Sequence, residues 1–167
     1  MKLTVRDITT LSLMTALCIV LSVIDSYIPN FIVGMKLGIA NIIILVSLYT
    51  YGFLPTLFVN IIRVILASFL RRTFLSMGFM MSLMGALFSL FIMAILKKFL
   101  KKLHIIGISV IGSIVHSLAQ IIVGCIYMGT SAFFYYLPIL SFTSIVTGIF
   151  IGLIANYILK ININKKE

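Results

Sequence analysis

Five residues of one segment set the chemical question. Thr56, Asn60, Arg63, Ala67 and Arg71 recur at steps of four, three, four and four, the spacing of one helix face. Arg63 lies eight residues past Pro55, about 12 Å along a helix axis. Its neighbours are apolar, so its guanidinium must be paired or wet. The chain has three acidic residues, Asp7, Asp25 and Glu167. Asp7 and Glu167 belong to the chain ends, and only Asp25 falls where it could approach. The shortage of counterions suggests that an anionic ligand or water supplies the balance.

Other apolar stretches carry polar stripes of their own. Gly112, His116, Gln120 and Gly124 step by four, with Ser109, Ser113 and Ser117 beside them. Lys36 and Asn41 stand about a turn and a half apart. Ser141, Ser144, Gly148, Gly152 and Asn156 share roughly one side of the last stretch. Two readings stay open. Asn60, His116 and Gln120 serve as hydrogen-bonding glue between helices, or they orient a ligand. Lys36 is an interfacial anchor or a charge partner. Arg71 and Arg72 read as headgroup contacts. Taken jointly, Lys36, Arg63 and Arg71 would line a cation-rich cavity, where arginine grips a carboxylate or phosphate through two parallel hydrogen bonds.

The elements that must position these residues follow from composition. Of 167 residues, 62% are hydrophobic and 10% charged, against roughly 45–50% and about 25% in soluble domains. That excludes a soluble globular domain and a disordered chain. Two cysteines, Cys18 and Cys125, exclude a disulfide framework. The expectation is an all-α polytopic membrane protein, one domain over 1–167, with six spans at about 8–24, 36–51, 54–70, 74–96, 105–128 and 133–159. Pro55 suits a helix's first turn, and Arg71, Arg72 and the lysines at 97, 98, 101 and 102 separate later spans. The runs are too long, and alternate too little, for a β-barrel.

The formal net charge is +10, which raises the question of nucleic acid. Its distribution answers otherwise. Nine lysines and arginines (2, 6, 97, 98, 101, 102, 160, 165 and 166) fall on one side, and Lys36, Arg71 and Arg72 on the other. The positive-inside rule then puts both termini in the cytoplasm of a multi-pass cell-membrane protein. Anionic headgroups account for the charge. The first span lacks a small-x-small cleavage site and reads as a retained helix.

Small residues mark packing faces: Gly148 with Gly152, the run Gly78, Ser82, Gly85 and Ser89, and Ser12 with Ala16. No phosphate-binding GxxxxGK[ST] loop, no HExxH and no cysteine pair for zinc occurs. No carboxylate pair lies within the spans for acid–base work. The expectation is a non-enzyme with no metal and no cofactor.

Several segments resemble one family. Gly34-Met35-Lys36-Leu37-Gly38-Ile39-Ala40-Asn41 is similar to its G-x-K-L-G-[LI]-A-N signature. Asn60 to Val64, Ser82 to Ser89, Gly107 to Val110, His116 to Gln120, Tyr136 to Pro138 and Gly148 to Gly152 follow in the family's order. Ser117 and Ala119 stand where the family commonly has Asn and Gly. The resemblance is to heptaprenyl diphosphate synthase component I, also called the Gx transporter family, whose members are similar to the substrate-binding S components of energy-coupling factor (ECF) transporters.

That resemblance implies an S-component-like bundle that captures a small anionic or amphipathic compound. Its partners would be a coupling subunit, docked at Ser12 and Ala16, and cytoplasmic ATPases. Lys36 and Arg63 would balance ligand charge, and Asn41, Asn60, His116 and Gln120 would orient it. The enzymatic name meets a chemical obstacle. Prenyl diphosphate synthases hold magnesium-diphosphate on paired aspartate-rich motifs, and this chain has two separated aspartates. Two alternatives therefore stand: a non-catalytic membrane component of isoprenoid or quinone biosynthesis, and an accessory subunit of flavin- or quinone-linked electron transfer.

Overall fold

The structure, a computed structural model, describes residues 4–27, 38–100 and 102–164. Every regular element among them is helical. The order is α1 (Val5–Tyr27), α2 (Ala40–Tyr51), α3 (Phe53–Leu70), α4 (Met77–Phe99), α5 (Ile105–Met128), a 3-10 turn (Ser131–Tyr136) and α6 (Leu137–Asn164). Among the described residues five helices are long and apolar enough to cross a membrane, as a multi-pass membrane protein requires. Burial agrees. Phe142, Phe150 and Ile126 are exposed, whereas Ser47, Thr56 and Ser68 are buried. In water this inversion would be a liability; against lipid it is the expected arrangement.

The second helix corrects the expected span at 36–51. α2 has 12 residues, about 18 Å, too short for a hydrocarbon layer of roughly 30 Å. Residues 36 and 37 lie outside the described residues. α2 joins α3 through Gly52 alone, whose φ of 86° is a left-handed conformation that strains any side chain. This near-direct reversal sets α2 and α3 side by side.

The fourth span also starts later than expected, at Met77 rather than residue 74. Arg72 N–H donates to Phe69 O at 3.0 Å and Thr73 N–H to Ser68 O at 2.9 Å, the paired bonds of a Schellman cap on α3. Residues 71–76 are consumed by that cap and by Ser76, whose hydroxyl accepts from Phe79 N–H as N-cap of α4. The last helix begins at Leu137, beyond the 3-10 turn, with Pro138 in its first turn. α5 ends at Gly129, φ 64°.

α4, α5 and α6 pack side by side, α1 lies on α2 and α3, and α2 wedges against α6. The α5–α6 seam is the closest. A Cβ on Gly148 would stand 2.7 Å from Val110 Cα, and one on Gly152 2.7 Å from Ile106 Cα. Only glycine lets the two backbones approach this far. One apolar core, including Ile44, Leu45, Leu48, Leu90, Met93, Ile108, Ile151 and Ala155, gathers α2, α4, α5 and α6. It occupies the half of the bundle nearer Lys97. Toward the Arg71 end the interior turns polar.

Candidate functional site

That polar interior is a cavity of about 70 Å³, to which all six helices contribute. Its size admits a few waters or one group the size of a carboxylate or phosphate. An isoprenoid chain does not fit inside it. α2 begins at Ala40, and Gly38, Ala40 and Asn41 at its start line the cavity.

Arg63 is the centre. It is 7% exposed. Its Nη2 donates to Asn60 Oδ1 at 2.9 Å and its Nη1 to Asn41 Oδ1 at 3.3 Å. Among the described residues its buried Nε has no acceptor. The amides fix the guanidinium without neutralising it. A buried cation whose printed hydrogen bonds go to neutral amides keeps part of its desolvation cost, which an arriving anion would offset. Asn60 is itself held, its Nδ2 donating to Ala86 O at 2.9 Å. Thr56, one turn earlier on that face, joins α3 to α2 through a 2.9 Å hydroxyl bond to Ser47.

Asp25 and Arg71 line the same cavity. Asp25 is buried at the end of α1 and accepts from Gly38 N–H at 3.0 Å. That bond ties the end of α1 to Gly38, two residues before α2 begins. Asp25 is within electrostatic reach of both Arg63 and Arg71. Among the described residues, two guanidiniums and one carboxylate give the ionised lining an excess of one positive charge. The start of α2, the positive end of its helix dipole, adds to the positive field.

α5 and α6 close the opposite side. His116 and Gln120 line the cavity beside Gly85 of α4, where a Cβ would come within 3.1 Å of both side chains. Gly85 is therefore the space that the imidazole and the amide occupy. Ser117 and Ser144 share a 2.6 Å hydroxyl bond across the α5–α6 seam, and Ser144 is also within 2.6 Å of Leu140 O.

Of the expected binding residues, Asn41, Arg63, His116 and Gln120 line one cavity. Asn60 does not line it; it stands behind Arg63 as a positioning residue. Lys36 lies outside the described residues. Ser12 and Ala16 sit on an exposed face of α1, and Ser12 Oγ is satisfied by Ile8 O at 2.9 Å. The headgroup reading of Arg71 is corrected. Arg71 turns back toward the cavity, its Nε donating to Ala67 O at 3.0 Å, while Arg72 is exposed. Sequence reasoning did not single out Ser22, Thr143 and Thr147. Ser22 lies one turn before Asp25, and Thr143 and Thr147 step by four, so the helical period was the available signal. Among the described residues no cluster of three metal-ligating side chains occurs.

Comparison with known proteins adds one finding. A family model described as heptaprenyl diphosphate synthase component I matches residues 14–158. No curated protein and no solved structure matches.

Proposed function

The chain belongs to the heptaprenyl diphosphate synthase component I family, and from that premise we propose that it is a non-catalytic, membrane-embedded binding subunit whose buried cavity captures a small anionic group. One observation carries the reading: the Arg63 guanidinium, buried and held by two neutral amides, lines a cavity with a net positive wall. Carboxylate or phosphate oxygens supply the acceptors that this guanidinium is built to meet. Asn41, His116 and Gln120 orient the group, and Asn60 fixes the angle of Arg63.

The family's description as a first component implies a second. A soluble synthase with aspartate-rich motifs is the partner this reading expects, because two separated aspartates leave the chain without a magnesium-diphosphate site of its own. A second reading, capture of a small solute for uptake by ATPase partners, is favoured by the cavity's place at the end away from the lysine cluster. With the lysines cytoplasmic, the cavity belongs to the outer half of the membrane.

Gentle purification followed by native mass spectrometry and metabolite extraction tests both. A stoichiometric small anion lost in Arg63→Ala supports capture. Co-purification of a synthase places the subunit in isoprenoid synthesis, and co-purification of an ATPase pair places it in uptake. Unchanged anion binding in Arg63→Ala would sink the assignment of the cavity.

A further inference from the structure

The polar groups around the Arg63 cavity divide by wall into donors and acceptors. On α3 the Arg63 guanidinium offers donors only, and its buried Nε meets no acceptor among the described residues. Arg71 adds a second donor-only group to the lining. On α6 the hydroxyl protons are already spent. Thr143 Oγ1 donates to Leu140 O at 3.0 Å, and Thr147 Oγ1 donates to Ser144 O at 3.3 Å. Ser144 Oγ donates to Leu140 O, so it is the acceptor in its 2.6 Å bond with Ser117. A hydroxyl has one proton and two lone pairs. Thr143 and Thr147, which line the cavity, therefore face it as acceptors.

A ligand that satisfies both walls carries an anionic acceptor at one end and a hydrogen-bond donor at the other. Charge narrows the class. The ionised lining of the described residues has an excess of one positive charge, and a buried charge left unbalanced is costly. A monoanion cancels that excess. A phosphate dianion overshoots it, and a zwitterion leaves it standing. Volume narrows the class again, since about 70 Å³ admits only a short molecule. Resting on the reading of this cavity as an anion-capture site, we propose that it selects a short hydroxy-monocarboxylate. The carboxylate meets Arg63, and the hydroxyl donates to the Thr143 and Thr147 wall.

Calorimetric titration of the full-length protein in phosphatidylcholine nanodiscs with glycolate, propionate, glycine and inorganic phosphate tests this selectivity. Propionate has the shape of glycolate with a methyl in place of the hydroxyl, and glycine has an ammonium there. Glycolate is expected to bind one to one, and propionate about tenfold more weakly, the loss of roughly one hydrogen bond in a buried site. Glycine and phosphate, the latter a dianion at about pH 8, bind more weakly than glycolate. Thr143→Val combined with Thr147→Val brings glycolate down to the level of propionate and leaves propionate unchanged. Thr143→Ser combined with Thr147→Ser keeps the preference. The comparison of ligands on the unaltered protein reports even where the valine variant fails to fold. Equal affinity for glycolate and propionate, a preference that survives in the valine variant, or tighter binding of glycine or phosphate would overturn the proposal. Each of these leaves anion capture standing where the binding is lost in Arg63→Ala. Binding of none of the four would also overturn it, and anion capture is then decided by the mass-spectrometric comparison with Arg63→Ala. Glycolate binding unchanged in Arg63→Ala would overturn both.

Discussion

At the Arg71 end the bundle encloses about 70 Å³ lined by guanidiniums, amides and hydroxyls. At the Lys97 end it leaves about 590 Å³ lined by phenylalanine and aliphatic carbon. Both recesses are electropositive, and they use the charge differently. Arg63 is buried and fixed by Asn41 and Asn60, so its field is strong and its geometry selective. Lys98 is exposed, so its field is screened.

The largest expected effect removes the contrast altogether. Gly148→Leu drives a side chain into the Val110 backbone, 2.7 Å away, at a cost of about 1–3 kcal/mol or more. Thermal unfolding in detergent should fall markedly, and anion binding in the cavity should fall with it. Retained stability would mean that the α5–α6 seam does not hold the cavity's wall. Asn60→Ala should break one side only. It strips a buried anchor from Arg63 and takes from Ala86 O its second donor, the helical bond within α4 remaining, at a cost of about 1–3 kcal/mol. Anion affinity should drop.

Lys97→Met should do the reverse. It removes the bond to Leu48 O, a loss of about 1 kcal/mol, without touching the cavity. Titration of the anion against both variants decides whether the recesses are independent. The smallest effect sharpens the comparison by leaving it alone. Arg72 occupies the left-handed position of the α3 cap, with φ 55°, where glycine is unstrained. Arg72→Gly should raise the unfolding midpoint by the equivalent of about 1 kcal/mol, with anion affinity unchanged.

Much of the cavity was legible because its residues obey the helical period. Thr56, Asn60, Arg63 and Ala67 read as one face, and all four are buried. The convergence of Asn41 on Arg63 was not legible, since no spacing within one helix reports a contact 22 residues away. Arg71 misled for a related reason. Next to Arg72 it looks like half of an interfacial pair, but the cap reverses the chain after it and splits the two. The length of α2 was hidden by composition, because an apolar run shows how far a helix could extend and not where it begins. The recess near Lys97 escaped notice entirely. Phe53 and Phe91, which line it, are far apart in the chain, and aromatic residues at helix ends are ordinary in membrane proteins.

The shortness of α2 has an electrical consequence. Its first turn lies about 18 Å from the Lys97 end, so an anion resting there sits part-way through the insulating layer rather than at its edge. A full crossing at 100 mV is worth about 2.3 kcal/mol per elementary charge. An anion held in the cavity would therefore be coupled to membrane voltage in proportion to its electrical depth, whereas a charge at the rim near Lys97 would lie almost outside that field. A helix of 12 residues would thus give the two recesses different electrical depths.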